Sequence, residues 1–212
     1  MCNLYSVTTN KEAIRELARA IGEWTDHMGN FEPLTGVFPD QMAPVVRSTP
    51  DGGRELIRMR WGLPSPPRAK SKITTNIRNV ASNWWRPWLQ AGHRCLVPAT
   101  SFCEPDNRTG KCVWTWFAQD EARSPCFFAG VWRVAFGERK GEAGQHLVFS
   151  FLTTEPNSIV APIHPKAMPV LLLDKAARET WMTGSLEDAL ALQRPAFSDA
   201  LRVVATGEKQ DG

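Results

Sequence analysis

Most of the chain consists of short apolar runs that are separated by turn residues. Valine, isoleucine and aromatic residues are concentrated in these runs, as is typical of β-strands. The pattern predicts strands over residues 2–7, 43–48, 55–61, 94–98, 112–118, 126–135, 146–153 and 201–206. Gly52 and Gly53 predict a tight hairpin turn between the second and third strands, because glycine adopts positive φ without a steric cost.

Three segments have the features of helices. Apolar residues at 13, 14, 17, 18 and 21 form one stripe of a helix over residues 10–21. A second helix is predicted after Asp174, over residues 175–182. Ser185 predicts a third helix, because it is a capping residue followed three positions later by Asp188.

The order of these elements predicts the fold class. Successive strands without β-α-β alternation indicate an α+β domain with a mainly antiparallel, curved sheet or open barrel and flanking helices. A chain of 212 residues with 42% hydrophobic residues can bury one good core, so we expect a single domain over residues 1–206. We expect residues 207–212 to form a disordered tail.

The number and spacing of the cysteines and histidines indicate the redox environment of the protein and whether it binds a metal. The cysteines are odd in number, lack C-x-x-C spacing and follow no secretory signal, so we expect a reduced, cytoplasmic protein. The histidines lack metal-ligand spacing, which predicts no metal and no cofactor. No apolar run approaches the roughly 18 residues of a membrane span. The cysteines are Cys2, Cys95, Cys103, Cys112 and Cys126, and the histidines are His27, His93, His146 and His164.

Positive charge is concentrated in one part of the chain, although the net charge is only +3. Residues 56–103 contain no Asp or Glu, but eight arginines and lysines and four of the nine tryptophans. Cations and aromatic rings together suit the phosphates and unstacked bases of single-stranded nucleic acid. The alternative is a solvated basic face with tryptophans in the core. Adjacent Trp84 and Trp85 favour the interface, because neighbours on a strand point to opposite faces.

Cys2 directly follows the initiator methionine, so removal of Met1 would place a free α-amine beside its thiol. This pair is a 1,2-aminothiol. Its amine, with a pKa of about 8, can attack an aldehyde, and its thiol can then close a thiazolidine ring. The alternative is a buried cysteine that opens the first strand, since free cysteine is among the most buried residue types.

Three further polar residues lie in apolar or rigid contexts. Glu104 follows an apolar strand, where burial would raise its pKa and arginines would lower it, so it suits acid/base chemistry or a salt bridge to Arg94. His164 lies among three prolines within eight residues and could protonate a leaving oxygen, although a lone histidine is more often structural. The Asn76 side chain could donate and accept hydrogen bonds in a site, or it could be a turn residue. Arg78, two residues later, could bind a phosphate.

Several motifs occur in one order along the chain. They are Met1-Cys2, Trp61-Gly-Leu, Asn76-Ile-Arg78, Arg94-Cys-Leu-Val-Pro-Ala with Phe102-x-Glu104, Phe128-Ala-Gly-Val-Trp132, Thr153-Thr-Glu-x-Asn157, Ile163-His164 and Met168-Pro169-Val170. From Cys2 to about Leu173 the chain thereby resembles the SOS response-associated peptidase (SRAP) family of abasic-site processing proteins. The resemblance implies a SRAP fold.

The resemblance also implies a function. Met1 would be removed by self-processing, a cysteine-type peptidase reaction, and Cys2 would bond to the ring-opened aldehyde of an abasic site, with lyase-type activity as a further implication. Asn76 would orient the nucleophile and the sugar, Glu104 would be the acid/base, and His164 would help to open the deoxyribose. The implied partner is single-stranded DNA with abasic sites. We expect a monomer in the cytoplasm, nucleoid-associated in a bacterium, and no membrane partner.

DNA contacts are expected around these residues, from Arg68, Lys70, Arg78, Trp84, Trp85 and Thr153. Arg78 would hold a phosphate, and Trp84 or Trp85 would stack on a flanking base. The chain has Asn3-Leu4 where the family often has Gly-Arg, so a DNA contact from position 4 is absent or replaced. Two alternative functions stay open: an N-terminal-nucleophile amide hydrolase and a non-catalytic single-strand binder.

Overall fold

Strands dominate the computed structural model, which describes residues 2–9, 13–14, 24–29, 32–108 and 110–211. The strands are β1 (Tyr5–Val7), β2 (Trp24–Asp26), β3 (Leu34–Val37), β4 (Met42–Ser48), β5 (Arg54–Trp61), β6 (Leu63–Pro64), β7 (Ile73–Thr74), β8 (Asn76–Ile77), β9 (Arg94–Ala99), β10 (Ser101–Asp106), β11 (Val113–Ala118), β12 (Cys126–Arg139), β13 (Glu142–Thr154), β14 (Met168–Pro169), β15 (Leu171–Leu172) and β16 (Arg202–Gly207). Each predicted strand matches an observed one to within a few residues. The predicted turn between β4 and β5 is also present, with Gly52 at a φ of +87°.

Five strands close into a barrel. Their order is β13-β12-β9-β4-β5, and β5 pairs in parallel with β13 to complete the ring. Arg60 lies opposite Val148, and Trp61 lies opposite Phe149. The curved and mainly antiparallel sheet is confirmed, but the barrel is closed and not open as expected. Closure pairs Arg60 and Trp61 of β5 with β13, so the backbone groups of this part of β5 are not left for another chain to pair with.

A second, five-stranded sheet has the order β16-β11-β10-β1-β3, and its pairs are antiparallel. The sequence predicts a strand over residues 94–98 but none over residues 101–106, whereas β10 begins only one residue after β9 ends. Thr100 separates the two strands, so a single apolar run contributes one strand to each sheet. Glu104 therefore lies within a strand and not in a segment that follows one.

Four aromatic rings pack where the N-terminal strand meets the barrel. Tyr5 lies edge-on to Trp61 and Phe128, at centroid distances of 5.1 and 5.6 Å. Trp61 stacks on Phe151 at 5.2 Å. Such pairs contribute about 0.5–1.5 kcal/mol each beyond the burial of their area. The Trp61 indole also donates a hydrogen bond to the Thr75 carbonyl (2.9 Å), which ties this cluster to the segment between β7 and β8.

Two helices follow the barrel, as predicted. Helix α1 (Lys175–Thr183) begins after Asp174, whose carboxylate accepts a hydrogen bond from the Ala177 amide (2.7 Å). Helix α2 (Leu186–Ala191) is capped by Ser185, whose hydroxyl accepts one from the Asp188 amide (3.0 Å). Most of the helix predicted over residues 10–21 lies outside the described residues. Residues 13 and 14 are the part of it that is described, and both are helical. Of the helices in the described part of the chain, none is long and apolar enough to cross a membrane.

The disordered tail over residues 207–212 stays a prediction, and residues 208 and 211 of that segment contact the second sheet. The Glu208 carbonyl accepts a hydrogen bond from the Trp116 indole (2.9 Å), and the Asp211 amide donates one to the Thr35 carbonyl (2.8 Å). Asp211 is buried. The backbone at residues 208 and 211 and the Asp211 carboxylate thus bind to the second sheet and its neighbours.

Candidate active site

Cys2 lies just before β1 and is fully buried. Its thiol donates a hydrogen bond to the Leu4 carbonyl, at an Sγ–O distance of 3.5 Å. Burial raises the pKa of this thiol well above its ordinary value, and the nearby Glu104 carboxylate raises it further. The thiol is therefore neutral at neutral pH. The Cys103 amide donates to the same Leu4 carbonyl (2.9 Å), which holds this end of the chain on β10.

Asn76 holds the backbone of Cys2. Its side-chain Nδ2 donates to the Cys2 carbonyl (2.7 Å) and to Thr75 Oγ1 (2.9 Å), and the Thr75 hydroxyl donates to Asn3 Oδ1 (2.9 Å). Asn76 belongs to β8, which pairs in parallel with β13 opposite Phe151. The residue is thus fixed within a strand and does not form a turn, which was the alternative interpretation from the sequence.

Glu104 is a fully buried carboxyl on β10. Its carboxyl interacts with the Cys2 thiol, and its oxygens accept no other hydrogen bond from the described residues. Burial raises its pKa from 4.5 to about 7, because the charged form loses its hydration. Arg94, considered as its partner, instead donates to the carbonyls of Trp181 and Gly184 (both 2.8 Å) and so caps the end of α1. Glu104 is therefore free to change protonation near neutral pH.

His164 lies beside Glu104, with an Nδ1–Oε2 distance of 3.5 Å. Burial lowers the pKa of the imidazole from 6.5 to about 4, so the ring is neutral at neutral pH. The residue ends a turn in which the His164 amide donates to the Val160 carbonyl (2.8 Å). The site thus combines a neutral imidazole with a carboxyl that exchanges its proton near pH 7.

Asn157 supports this turn and was not singled out as a functional residue from the sequence. Its Oδ1 accepts hydrogen bonds from the amides of Ile159 (3.2 Å) and Val160 (3.1 Å), and its Nδ2 donates to the Ala196 carbonyl (3.2 Å). Asparagine commonly bonds backbone amides two and three residues ahead. The segment Asn157-Ser-Ile-Val carried that local signal, but its connection to residue 196 did not appear in the sequence.

A depression opens next to Cys2 and Asn76. Asn3 and Pro39 form part of its wall, and the remainder comes from the segment between β6 and β8. The full set of lining residues is Asn3, Pro39, Ser65, Ala69, Ser71, Ile73, Thr74, Thr75 and Asn76. Small and hydroxyl-bearing side chains predominate among them, and Asn76 connects the depression to the buried Cys2.

Three of the predicted DNA contacts lie on the surface. Arg68 and Lys70 are exposed in the loop between β6 and β7, and none of the ion pairs found in the described part of the chain includes them. Arg78 is also exposed and pairs with Glu155 (2.7 Å). Its Nη1 donates to the Lys166 carbonyl (3.4 Å), two residues after His164. The Arg78 guanidinium therefore lies at the edge of the site.

The tryptophans of the basic segment are largely buried, and base stacking by Trp84 or Trp85 stays a prediction. Trp85 is only 6% exposed, and Trp84 is half-buried and packs edge-on against it. Residues 81–89 form turns and a 3₁₀ helix (Arg86–Leu89), so the strand alternation that was used to favour an exposed tryptophan does not apply. Trp61 is wholly buried, and the Arg133 guanidinium lies 4.2 Å from the centroid of Trp88.

Thr153 is also buried, on β13 opposite Pro169. Its backbone carbonyl accepts a hydrogen bond from Gln193 Nε2 (2.9 Å), which also donates to the Arg78 carbonyl (2.8 Å). The side chains of Thr153 and Trp85 are therefore both buried, and DNA contacts from them stay a prediction.

A second buried carboxylate lies behind the site. Asp211 Oδ2 accepts hydrogen bonds from the hydroxyls of Ser6 (2.9 Å) and Ser101 (2.5 Å), and Asp211 Oδ1 pairs with Arg123 Nε (2.7 Å). Ser6 and Ser101 are partners in the β1–β10 register. Residues alternate across a sheet, so this network and Glu104 occupy opposite faces of β10.

Within the described residues, no three His, Cys, Asp or Glu side chains are grouped so that they could hold a metal ion. Cys2, Glu104, His164 and Asn76 supply a thiol, a carboxyl, an imidazole and an amide to the site.

Solved structures resemble this chain over nearly its whole length. A protein from Bordetella bronchiseptica matches with a TM-score of 0.73 at 22% identity, covering 97% of this chain and 98% of that one. A protein from Bacteroides thetaiotaomicron has a TM-score of 0.73 at 21% identity, with 95% and 90% covered. A phage-related protein from Bordetella bronchiseptica has a TM-score of 0.70 at 17% identity, with 95% and 92% covered. These likenesses show that the fold is shared.

Comparison with curated proteins found no match. The family model described as SOS response associated peptidase (SRAP) matches residues 1–208. That range includes all the residues of the candidate site and both sheets. The chain therefore belongs to the SRAP family.

Proposed function

We propose that this protein binds single-stranded DNA and forms a covalent thiazolidine between Cys2 and the ring-opened aldehyde of an abasic site. Met1 is first removed by self-processing, which leaves Cys2 as a 1,2-aminothiol. The protein then shields the abasic site from cleavage by remaining attached to it.

The crosslinking chemistry balances without a cofactor. The neutral α-amine of Cys2 attacks the aldehyde carbon, and loss of water gives an imine. The thiol sulfur then adds to the imine carbon, and its proton passes to the nitrogen. One aminothiol and one aldehyde thus give one thiazolidine and one water. A neutral thiol and a neutral amine are the forms that begin this sequence.

Each polar neighbour has a role in this sequence. Asn76 holds the Cys2 carbonyl and so orients the amine and thiol. Glu104, with a pKa of about 7, is able to give a proton to the departing oxygen and to take one back. The neutral imidazole of His164 accepts a proton when the deoxyribose ring opens to the aldehyde.

The observation that carries the proposal is the juxtaposition of Cys2, held by Asn76, with a buried Glu104 that interacts electrostatically with the thiol and lies 3.5 Å from His164. Perturbed titratable groups of this kind are concentrated at functional sites. The exposed cations Arg68, Lys70 and Arg78 near the depression suit a phosphate backbone.

Membership of the SRAP family suggests a peptidase-like protein of the SOS response. In this proposal, the peptidase reaction is the cleavage of the Met1–Cys2 bond in the chain itself. A peptidase that acts on other substrates is a separate function, and the second test below addresses it.

The first test is a denaturing gel with single-stranded DNA that carries one abasic site. We expect a denaturation-resistant adduct with the wild-type protein and none with Cys2→Ala. Cys112→Ala is the matched control because Cys112 is exposed and lies outside the site. An undiminished adduct in Cys2→Ala would sink the assignment.

The second test separates the alternatives. Intact-mass measurement should find Met1 absent from crosslinking-competent protein. Turnover of small amides without DNA would favour an N-terminal-nucleophile hydrolase. DNA binding that ignores abasic sites and survives the loss of Cys2 would favour a non-catalytic binder.

A further inference from the structure

The hairpin formed by β12 and β13 projects a rigid tip. The two strands stay paired as far as Arg139 and Glu142, which leaves Lys140 and Gly141 as a two-residue turn. Their φ angles of +50° and +81° are those of a type I′ turn, whose twist matches that of the flanking strands. The tip is therefore set by backbone geometry and is not a loose loop.

Two ion pairs also fasten this tip to the barrel. Arg139 Nε donates to Asp40 Oδ1 (2.9 Å), and its Nη1 donates to the Gly62 carbonyl (3.1 Å). Arg60 Nη2 donates to Glu142 Oε2 (2.9 Å). Side chains on the tip are thus held in a defined position relative to the loop before β4 and the start of β6.

Phe136 is 80% exposed on this hairpin, next to a second depression. We define the hairpin-tip surface by the residues that line it: Asp40, Pro64, Lys72, Ile73, Ala135, Phe136, Glu138, Arg139, Lys140 and His146. The ion pairs found among the described residues include neither Lys72 nor Lys140. Arg139 is neutralised by Asp40, so the two lysines face one unpaired carboxylate, Glu138.

The hairpin-tip surface is continuous with the depression at the candidate active site. Ile73 lines both depressions. Pro39 lines the depression at the active site, and its neighbour Asp40 lines the hairpin-tip surface. A chain-like ligand that occupies the first depression can therefore pass over Ile73 onto the second.

We propose that the hairpin-tip surface binds the single strand beyond the abasic site, with Phe136 stacking on an unpaired base and Lys72 and Lys140 contacting phosphates. An exposed aromatic ring on a rigid element loses little conformational freedom on binding, and every base offers a face on which it can stack. Cations beside the ring complete the combination that sequence-tolerant single-strand binding uses. This inference rests on the proposed function, because it extends the same DNA path.

The experiment measures the affinity of the protein for fluorescent single-stranded DNA that is lengthened stepwise on each side of a fixed position. Wild-type affinity should rise once the strand reaches the hairpin tip. In Phe136→Ala that rise should be reduced about five- to 150-fold. Phe197→Ala is the matched control, because Phe197 is 76% exposed but lines a depression that shares no residue with the active site.

A second variant tests the phosphate contact. Lys140→Asn removes the charge but keeps a residue that favours this turn, since Asn-Gly is a preferred type I′ pair. It should lower the slope of log affinity against log salt concentration by about one. The inference is overturned if Phe136→Ala binds all lengths like wild type, or if Phe197→Ala weakens binding as much.

Failure of this inference and failure of the proposed function give different results. If the wild-type protein crosslinks to an abasic site and Phe136→Ala shows no length-dependent defect, only the path over the hairpin tip is wrong. If the wild-type protein forms no adduct, the proposed function is wrong whatever Phe136 does.

Discussion

His164 Nδ1 lies 3.5 Å from Glu104 Oε2, yet neither residue is held in its charged form. Burial raises the pKa of Glu104 to about 7 and lowers that of His164 to about 4. A stable ion pair would require the opposite shifts, with the carboxyl pKa lowered and the imidazole pKa raised. The pair is therefore suited to exchanging protons and not to stabilising the fold by a salt bridge.

The pH dependence of crosslinking should follow from the Glu104 carboxyl and the Cys2 amine. The rate should rise as the amine, with a pKa of about 8, loses its proton, and should fall as Glu104 loses its own above about 7. We expect a bell-shaped profile with a maximum between these values. Quenched crosslinking time courses at saturating DNA would measure it. In Glu104→Gln the fall in rate at high pH should disappear, and the crosslinking rate should drop while DNA binding is retained. If DNA binding and the crosslinking rate fell together, Glu104 would have a structural role.

Protein stability should respond to pH in opposite directions through Glu104 and His164. The raised pKa of Glu104 contributes stability below pH 4.5 that is lost as the pH rises to about 7. The lowered pKa of His164 contributes stability above pH 6.5 that is lost as the pH falls to about 4. The two effects oppose each other where the windows overlap.

Urea denaturation of two variants separates these effects. With Glu104→Gln, the free energy of unfolding should rise more steeply with pH between about 4 and 6.5, where His164 acts alone. With His164→Gln, it should fall with pH between 4.5 and about 7. Equal slopes in wild type and both variants would contradict the burial of these groups as the cause of their shifts.

Asn76→Asp should slow crosslinking about tenfold, since losing the buried hydrogen bond to the Cys2 carbonyl costs roughly 1–2 kcal/mol and the Thr75 hydroxyl loses the same donor. The substitution keeps the shape of the side chain but replaces the Nδ2 donor that holds the Cys2 carbonyl with an acceptor. Single-turnover crosslinking at saturating DNA isolates this step from binding. Asn79→Ala is the control, because Asn79 is exposed on the same segment. A wild-type rate in Asn76→Asp would show that the contact does not orient the nucleophile.

Asn157→Ala should slow crosslinking through the turn that carries His164. The variant removes the acceptor for the amides of Ile159 and Val160, and each lost bond to a buried amide costs about 1 kcal/mol. Asn157→Asp retains that acceptor and should restore most of the rate. If Asn157→Asp and Asn157→Ala slow crosslinking equally, the important contact is the hydrogen bond that Asn157 Nδ2 donates to the Ala196 carbonyl.

Asp211→Ala should lower the free energy of unfolding by about 3–5 kcal/mol, because it leaves the buried part of Arg123 without its partner and two serine hydroxyls without their acceptor. Urea denaturation midpoints measure the change. Glu208→Ala is the matched control, since Glu208 lies on the same segment but uses only its backbone carbonyl. Similar midpoints for the two variants would show that the segment after β16 does not stabilise β1 and β10.

The local pattern of the sequence was sufficient for the two helices α1 and α2 and for eight of the sixteen strands in the described residues. Alternating apolar positions and turn residues indicated β4, β5 and the long hairpin, and the Asp174 and Ser185 caps indicated both helices. These features depend on neighbours in the chain, so sequence reasoning reaches them. Where two strands are joined by Thr100 alone, the same reasoning found β9 and missed β10.

The sequence by itself determined the fold class and the residue types available for chemistry, from Cys2 at the beginning of the chain to His164. Tertiary structure decided which of them meet and in which protonation state. Pairing of β5 with β13 closes the barrel, and the burial that accompanies this packing sets the pKa of Glu104 and His164. Tertiary packing also buries Trp85, which was expected on the surface because it lies in the stretch rich in arginine and lysine. Closure and burial arise from contacts between residues far apart in the chain, and no local pattern contains them.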